Sequence, residues 1–122
     1  MIYRFGTRGE SCRLADSAAK MGVAVSVLVT VDLFVDPARQ DELLRIFGDA
    51  FPDTRRYQGC EEITAFVDQD QPGHLLLVER WARRKDHESY LGWRQETGMF
   101  DVLADFATGA PEFRYFDSRS DV

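Results

Sequence analysis

Tyr90, Arg94 and Thr97 stand four and then three residues apart, a spacing that puts a phenol, a guanidinium and a hydroxyl on one side of a helix. Aimed inward among hydrophobic neighbours, this polar stripe would be a binding site. Aimed elsewhere, Arg94 would serve a structural ion pair with Glu61, Glu62 or Glu79. His87 falls in the first turn of the same predicted helix. Helix N–H groups there lower an imidazole pKa and favour the neutral ring, which can accept a proton. Its flanks, Asp86 and Glu88, fit a solvent-facing position equally well. His74 follows a turn and is expected to face solvent. Cys60 has no sequence neighbour suited to a catalytic dyad and is expected to be a small buried residue at a strand start. With Cys12, Cys60, His74 and His87 as the whole stock of cysteine and histidine, no metal-ligand spacing and no disulfide framework arise. A cytoplasmic protein without a metal is the expectation.

The elements that must position these groups follow from hydrophobic period. From Ala24 to Val35, Val25, Val27, Val29, Val31, Leu33 and Val35 alternate with Ser26, Leu28, Thr30, Asp32 and Phe34, which predicts a strand with one aliphatic and one mixed face. Asp36 and Pro37 supply a cap and a first-turn proline. Leu43, Leu44, Phe47, Ala50 and Phe51 then recur at helical spacing, predicting a helix from about Pro37 to Phe51 that Pro52 breaks or kinks. Asp53 is placed to cap a short continuation through Thr54, Arg55, Arg56 and Tyr57 that Gly59 stops. A second strand is predicted over Glu61 to Asp68 and a third over Leu75 to Ala82, joined by the turn formers between Asp68 and Gly73. A second helix begins at Asp86, is interrupted at Gly98, continues from Met99 to Phe106, and ends before Gly109 and Pro111. Phe113 to Phe116 form the last strand.

This order, strand, helix, strand, strand, helix, strand, is the split βαβ plan of α+β ferredoxin-like domains, an antiparallel sheet with its helices on one face. The run Leu75 to Val78 is apolar without interruption, so the third strand is expected to be covered on both sides. A second sheet should then cover the face that the helices leave bare. A twofold copy would provide it, which predicts a homodimer with its sheets face to face.

Composition sets the remaining bounds. At 122 residues, 44% hydrophobic and 30% charged, the chain is one ordinary globular domain. A net charge of −6 disfavours nucleic acid, and the cluster Arg80, Arg83, Arg84 and Lys85 reads as a solvated helix start. No apolar run approaches the ~20 residues needed to span a bilayer. Residues 1–22 differ in charge from the rest, so the folded domain is expected at 23–118, with an N-terminal extension before it and a short tail over 119–122.

Several of these segments resemble one family. The Pro-capped helix, Thr54-Arg55 with Gly59-Cys60, the turn over Asp70 to Gly73, the strand end Val78-Glu79-Arg80-Trp81 and the run Tyr90-Leu91-Gly92-Trp93-Arg94 are similar in order and spacing to antibiotic biosynthesis monooxygenase (ABM) proteins. The resemblance covers roughly residues 24 to 117. It implies a dimeric α+β barrel with a pocket between sheet and helices in each subunit, and oxygenation of phenolic or quinol-type molecules without a cofactor. In such chemistry the substrate supplies the electrons, and the protein favours its anion and shields it from water. On this reading Trp81, Trp93, Phe47, Phe51, Thr97 and Phe100 are the expected substrate-binding residues. Arg94 stabilises the anion, and His87 or Tyr90 exchanges the proton. For Trp81, Phe47 and Phe51 core packing is the competing expectation. The chain contains no asparagine, the residue that the best-known oxygenases of this family place near a tryptophan, and no histidine near Phe100, where the haem-degrading branch carries one. A non-redox polyketide cyclase and a binding module without turnover stand beside the oxygenase reading.

Overall fold

The computed structural model describes residues 26–122, so the expected N-terminal extension lies outside the described residues. Strand β1 spans Val27–Phe34, helix α1 Gln40–Arg56, β2 Cys60–Val67, β3 His74–Trp81, helix α2 Arg84–Glu96, helix α3 Met99–Phe106 and β4 Glu112–Asp117. The four strands form one antiparallel sheet in the order β2-β3-β1-β4, the arrangement of a ferredoxin-like domain.

The period-two pattern sets the helix-facing side of the sheet. Val29, Val31 and Leu33 of β1 pair with Glu79, Leu77 and Leu75 of β3, and all six side chains are buried. Beneath the helices they join Leu43, Phe47 and Phe51 of α1 and Ile63 of β2. Each large aliphatic group so buried contributes about 1.5–3 kcal/mol relative to exposure. On the opposite face Leu28, Thr30, Leu76 and Val78 are half-buried, while Phe66 and Phe116 stand 50% and 44% exposed. Both faces are apolar, as the alternation in β1 and the run in β3 imply.

Helix α1 differs from its expected course. After a short 3-10 turn at Pro37–Arg39, opened by Asp36 accepting from the Ala38 N–H at 3.0 Å, it runs on through Pro52 to Arg56. Proline breaks a helix because it lacks an N–H and because its ring meets the carbonyl four residues back. Here that residue is Gly48. Both Gly48 and Pro52 lie on the exposed side of α1, where water can take the orphaned carbonyl, while Leu43, Phe47, Phe51 and Thr54 bury the opposite stripe. Packing on that stripe outweighs the one missing bond.

The β2–β3 turn is tied into the rest of the sheet. Asp68 Oδ1 accepts from the Asp70 and Gln71 N–H groups, Gln40 Oε1 accepts from the Gly73 N–H at 2.9 Å, and the Val35 N–H donates to the Gly73 carbonyl at 2.8 Å. Gly73 has φ +85°, a conformation that suits a residue without Cβ. Gly98, at φ +91°, separates α2 from α3. The far end of α3 is fastened to β1 by Asp36 N–H donating to Phe106 O at 3.0 Å and by Thr108 N–H donating to Phe34 O at 2.8 Å.

His74 departs from its expected solvent position. Its ring stacks on Phe34 at 5.0 Å and bonds Asp68 Oδ2 and Asp32 Oδ1, both at 2.7 Å, so only 21% of the side chain is exposed. The reason is register: Phe34 and His74 are direct partners across β1 and β3.

Candidate functional site

Between the helix-facing side of the sheet and α1, α2 and α3 lies a cavity of about 430 Å³. Its walls are apolar: Val31 and Leu33 from β1, Phe47 and Phe51 from α1, Phe100 and Leu103 from α3. The residues on the side between α3 and β4, among them Ala104, Ala107, Ala110 and Phe113, are exposed, so the cavity opens to solvent there. Only Glu79, Tyr90 and Arg94 bring hydrogen-bonding side chains to the lining.

Arg94 is held by a closed set of bonds. Its Nε donates to the Tyr90 hydroxyl at 2.9 Å, and one terminal nitrogen, Nη2, donates to Thr54 Oγ1 at 3.0 Å and to the Ala50 carbonyl at 2.9 Å. Tyr90 and Thr54 share a bond of 2.7 Å. The guanidinium also lies 4.5 Å over the Trp93 ring. An ion pair with Glu61, Glu62 or Glu79 is not formed; Glu61 accepts from the Ser26 hydroxyl, and Glu62 lies 3.7 Å from Arg80. Nη1 has no partner among the described residues, so this planar fork is oriented by the protein and keeps donors to spare. Burial pushes the Tyr90 phenol above its ordinary range, so it keeps its proton near neutrality.

Glu79 sits 3% exposed in a row with Leu75, Leu77 and Trp81, where period two calls for apolar groups. Burial pushes its pKa up to about 7, and a hydrogen bond from Trp81 Nε1 to Oε1 at 2.8 Å pulls the other way. Oε1 also faces His87 Nε2 at 3.6 Å. That nitrogen is fully buried and has no hydrogen-bond partner, while Nδ1 is bonded to the Tyr115 hydroxyl at 2.8 Å. The His87 pKa is pushed down to about 4 by burial, not by the helix start. The ring is therefore neutral at physiological pH.

The expected site residues divide accordingly. Tyr90, Arg94, Phe47, Phe51 and Phe100 meet at the cavity. Trp81 does not line it: the indole is 0% exposed in the core, where its N–H donates to the Glu79 carboxyl. Trp93 is half-buried behind Arg94, and Thr97 is exposed, its hydroxyl turned back to the Trp93 carbonyl at 3.0 Å. His87 is enclosed behind Glu79, neither on the lining nor in solvent. Among the described residues no three of His, Cys, Asp and Glu gather as a metal set, and no helix is long and apolar enough to cross a membrane.

Comparison with known proteins bears directly on this arrangement. The family model described as antibiotic biosynthesis monooxygenase matches residues 26–101, from β1 through α1, the hairpin and α2 to the start of α3. The chain belongs to the antibiotic biosynthesis monooxygenase family. A crystal structure named as an antibiotic biosynthesis monooxygenase is 22% identical, with TM-score 0.68 over 76% of this chain and 98% of that one. A conserved protein from Methanosarcina mazei Go1 gives 14% identity and TM-score 0.71 over 82% and 99%. A Mycobacterium tuberculosis protein gives 18% and 0.67 over 77% and 95%. At such identities the likeness is one of fold. No curated protein sequence matches the chain.

Three residues of this ABM-family site were not singled out from sequence. In the sequence Thr54 stands out only through the family-like pair Thr54-Arg55, yet it anchors both Tyr90 and Arg94. Tyr115 lay in the last strand with no distinguishing context. Glu79 carries a visible signal, a carboxylate in phase with Leu75, Leu77 and Trp81, although the strand-end motif and an ion pair with Arg94 account for it equally well in the sequence.

Proposed function

We propose that this ABM-family protein is a cofactor-independent monooxygenase acting on a phenolic, anthrone-like or quinol-type molecule held in the cavity. The observation that carries the reading is Arg94, which lines a largely apolar chamber with its orientation set by Tyr90, Thr54 and Ala50 and with Nη1 unpaired among the described residues. The volume suits a fused-ring aromatic, since pockets for drug-sized ligands run about 300–1,000 Å³. A guanidinium in a low-dielectric wall favours a phenolate or enolate over its neutral acid and would stabilise the peroxide that forms as oxygen adds. For an anthrone the atoms balance with oxygen as sole co-reactant. The carbon opposite the carbonyl loses two hydrogens and gains one oxygen atom, and the second oxygen leaves as water carrying those hydrogens. The substrate supplies all the electrons.

The apolar outer face of the sheet supports a second part of the reading, a homodimer in which two such faces meet. Phe66, Phe116, Leu28, Leu76 and Val78 would be removed from water by an equivalent surface, as a self-complementary twofold contact requires. Sedimentation equilibrium of the wild type and Phe66→Glu tests this. A shift from dimer to monomer is expected, and a monomeric wild type would end it.

The oxygenase reading is tested by incubating the protein with anthrone and with 1,4-naphthoquinol, with and without oxygen, and following labelled oxygen into product. Protein-dependent incorporation that Arg94→Met reduces is expected. Oxygen uptake indifferent to the protein would sink it. A product that has lost water without gaining oxygen would identify a cyclase, the second reading, for which the carboxyl of Glu79 in the cavity wall is the favouring observation.

A further inference from the structure

We propose that Glu79 takes the acidic proton of the bound molecule and that His87 and Tyr115 connect it to solvent, forming a proton relay through the back wall of the cavity. The inference deepens the reading above, and rests on its premise that the cavity binds a molecule with an acidic O–H or activated C–H.

The geometry is continuous from cavity to surface. Glu79 lines the chamber and is 3% exposed. Its Oε2 has no partner among the described residues, leaving that oxygen for a ligand, while Oε1 accepts from Trp81 and faces His87 Nε2 at 3.6 Å. His87 Nδ1 meets the Tyr115 hydroxyl at 2.8 Å. Tyr115, on β4, is half-buried beneath the Arg84 guanidinium, which lies 4.0 Å from the ring and is itself exposed. The three side chains come from β3, α2 and β4.

The unpartnered Nε2 separates this arrangement from ordinary packing. A buried imidazole nitrogen without a partner costs about 1–3 kcal/mol, and a histidine kept only for shape would be expected to satisfy both nitrogens or be replaced by an apolar residue. Among the described residues, the one acceptor or donor it faces is the Glu79 carboxyl. A displacement of about half an ångström would bring the pair to hydrogen-bond distance. Apo sites commonly hold catalytic bonds long in this way.

The proton inventory closes. In the starting tautomer His87 carries its proton on Nδ1 and donates it to the Tyr115 oxygen, and Nε2 holds a lone pair toward Glu79. The ligand's proton passes to the Glu79 carboxylate. Once the carboxyl turns its protonated oxygen toward His87, the proton moves to Nε2 as the Nδ1 proton moves to the Tyr115 oxygen and the Tyr115 O–H proton leaves to water. The ligand anion and the Glu79 carboxylate remain, while His87 and Tyr115 end neutral, which suits a ring whose cationic form is disfavoured by burial. Reversal returns the proton when a leaving oxygen needs it. A buried carboxyl without such a path would be trapped in one protonation state once a ligand filled the chamber.

The test uses the full chain and 4-nitrophenol, whose anion is coloured. Binding is measured by equilibrium dialysis, the ionised fraction by absorbance, and the Glu79 carboxyl by infrared difference spectra. The rate of proton exchange follows from pH jumps on the complex. In the wild type, binding of the phenolate should raise a protonated-carboxyl band that Glu79→Gln abolishes. Tyr115→Phe and His87→Gln should leave affinity within about threefold and slow exchange by about tenfold or more, the scale of a lost proton-transfer group. Tyr115→Phe alters one partly exposed hydroxyl, so it keeps the test open should His87→Gln fail to fold. If 4-nitrophenol binds and ionises with Glu79→Gln as with the wild type, or if both relay variants exchange at the wild-type rate, the relay is overturned and the binding reading stands. A wild type that binds no 4-nitrophenol would overturn both.

Discussion

Trp81 and Glu79 lie two residues apart on β3, on the same side of the sheet, and the indole N–H donates to Glu79 Oε1 at 2.8 Å. This bond opposes the burial that drives the carboxyl pKa upward. Trp81→Phe keeps an aromatic ring but removes the donor. The Glu79 titration, followed by carbon NMR, should move above its value of about 7. Urea unfolding should show a loss of about 2–4 kcal/mol from the missing bond and the space left behind. An unmoved titration would contradict the assignment.

The Glu79–His87 pair gives the pH dependence of stability a distinctive form. Glu79 is raised from 4.5 to about 7, so between these values the unfolded chain has released a proton that the folded one retains, and stability falls as pH rises. His87 is lowered from 6.5 to about 4, so over that interval the unfolded chain holds a proton that the folded one lacks, and stability rises with pH. From about pH 4.5 to 6.5 the two oppose each other. Glu79→Gln should add a rising slope relative to wild type and His87→Gln a falling one, each on the order of 1 kcal/mol per pH unit. Denaturant unfolding at four pH values measures both.

Arg94 supports the fold as well as the cavity. Arg94→Met leaves the Tyr90 and Thr54 hydroxyls with each other and removes the bonds to Tyr90, Thr54 and the Ala50 carbonyl. A cost of about 2–3 kcal/mol is expected. Arg94→Lys should recover less than half of it, because one ammonium cannot reproduce the fork to Tyr90, Thr54 and Ala50 together. Thermal unfolding of the three proteins decides this.

On the outer face, the carboxylates of Asp68 and Asp32 hold His74 above its ordinary pKa. A raised histidine contributes stability that is fully present below its unfolded pKa of about 6.5 and is lost as pH rises through the folded value. His74→Gln should therefore lower the melting temperature more at pH 5.5 than at pH 9. Equal shifts would show that only packing on Phe34 matters.

Gly73 tests the fastening of the hairpin. A Cβ there would lie 2.3 Å from the Val35 carbonyl oxygen, in a backbone conformation at φ +85° that side chains avoid. Gly73→Ala should cost about 2 kcal/mol or more. Gly48→Ala, where a Cβ meets nothing within 4 Å, should be neutral or slightly stabilising in the same unfolding measurement.

Much of the scaffold was legible before any coordinates. Strand alternation in β1, the turn formers before Gly73 and the break at Gly98 all follow from local preferences, and the element order led directly to the sheet. That α1 passes through Pro52 as one helix was not legible, since it depends on which side of the helix the missing bond falls. Half of the site was legible too. Tyr90 and Arg94 share a helix face by spacing alone, but whether that face meets a cavity, and whether Thr97 joins it, depends on where α1 and α3 lie.

The sequence by itself determined the order of elements, the two apolar faces of the sheet and the shared helix face of Tyr90 and Arg94, because these rest on periods of two and 3.6 among near neighbours. The tertiary structure alone decided that a carboxyl on β3, an imidazole on α2 and a phenol on β4 stand in line. His87 and Tyr115 are 28 residues apart, and no local preference encodes their meeting. It follows from strand order, which brings β4 beside β1 and under α2. Burial, a property of the packed whole, then sets the protonation of the groups it encloses.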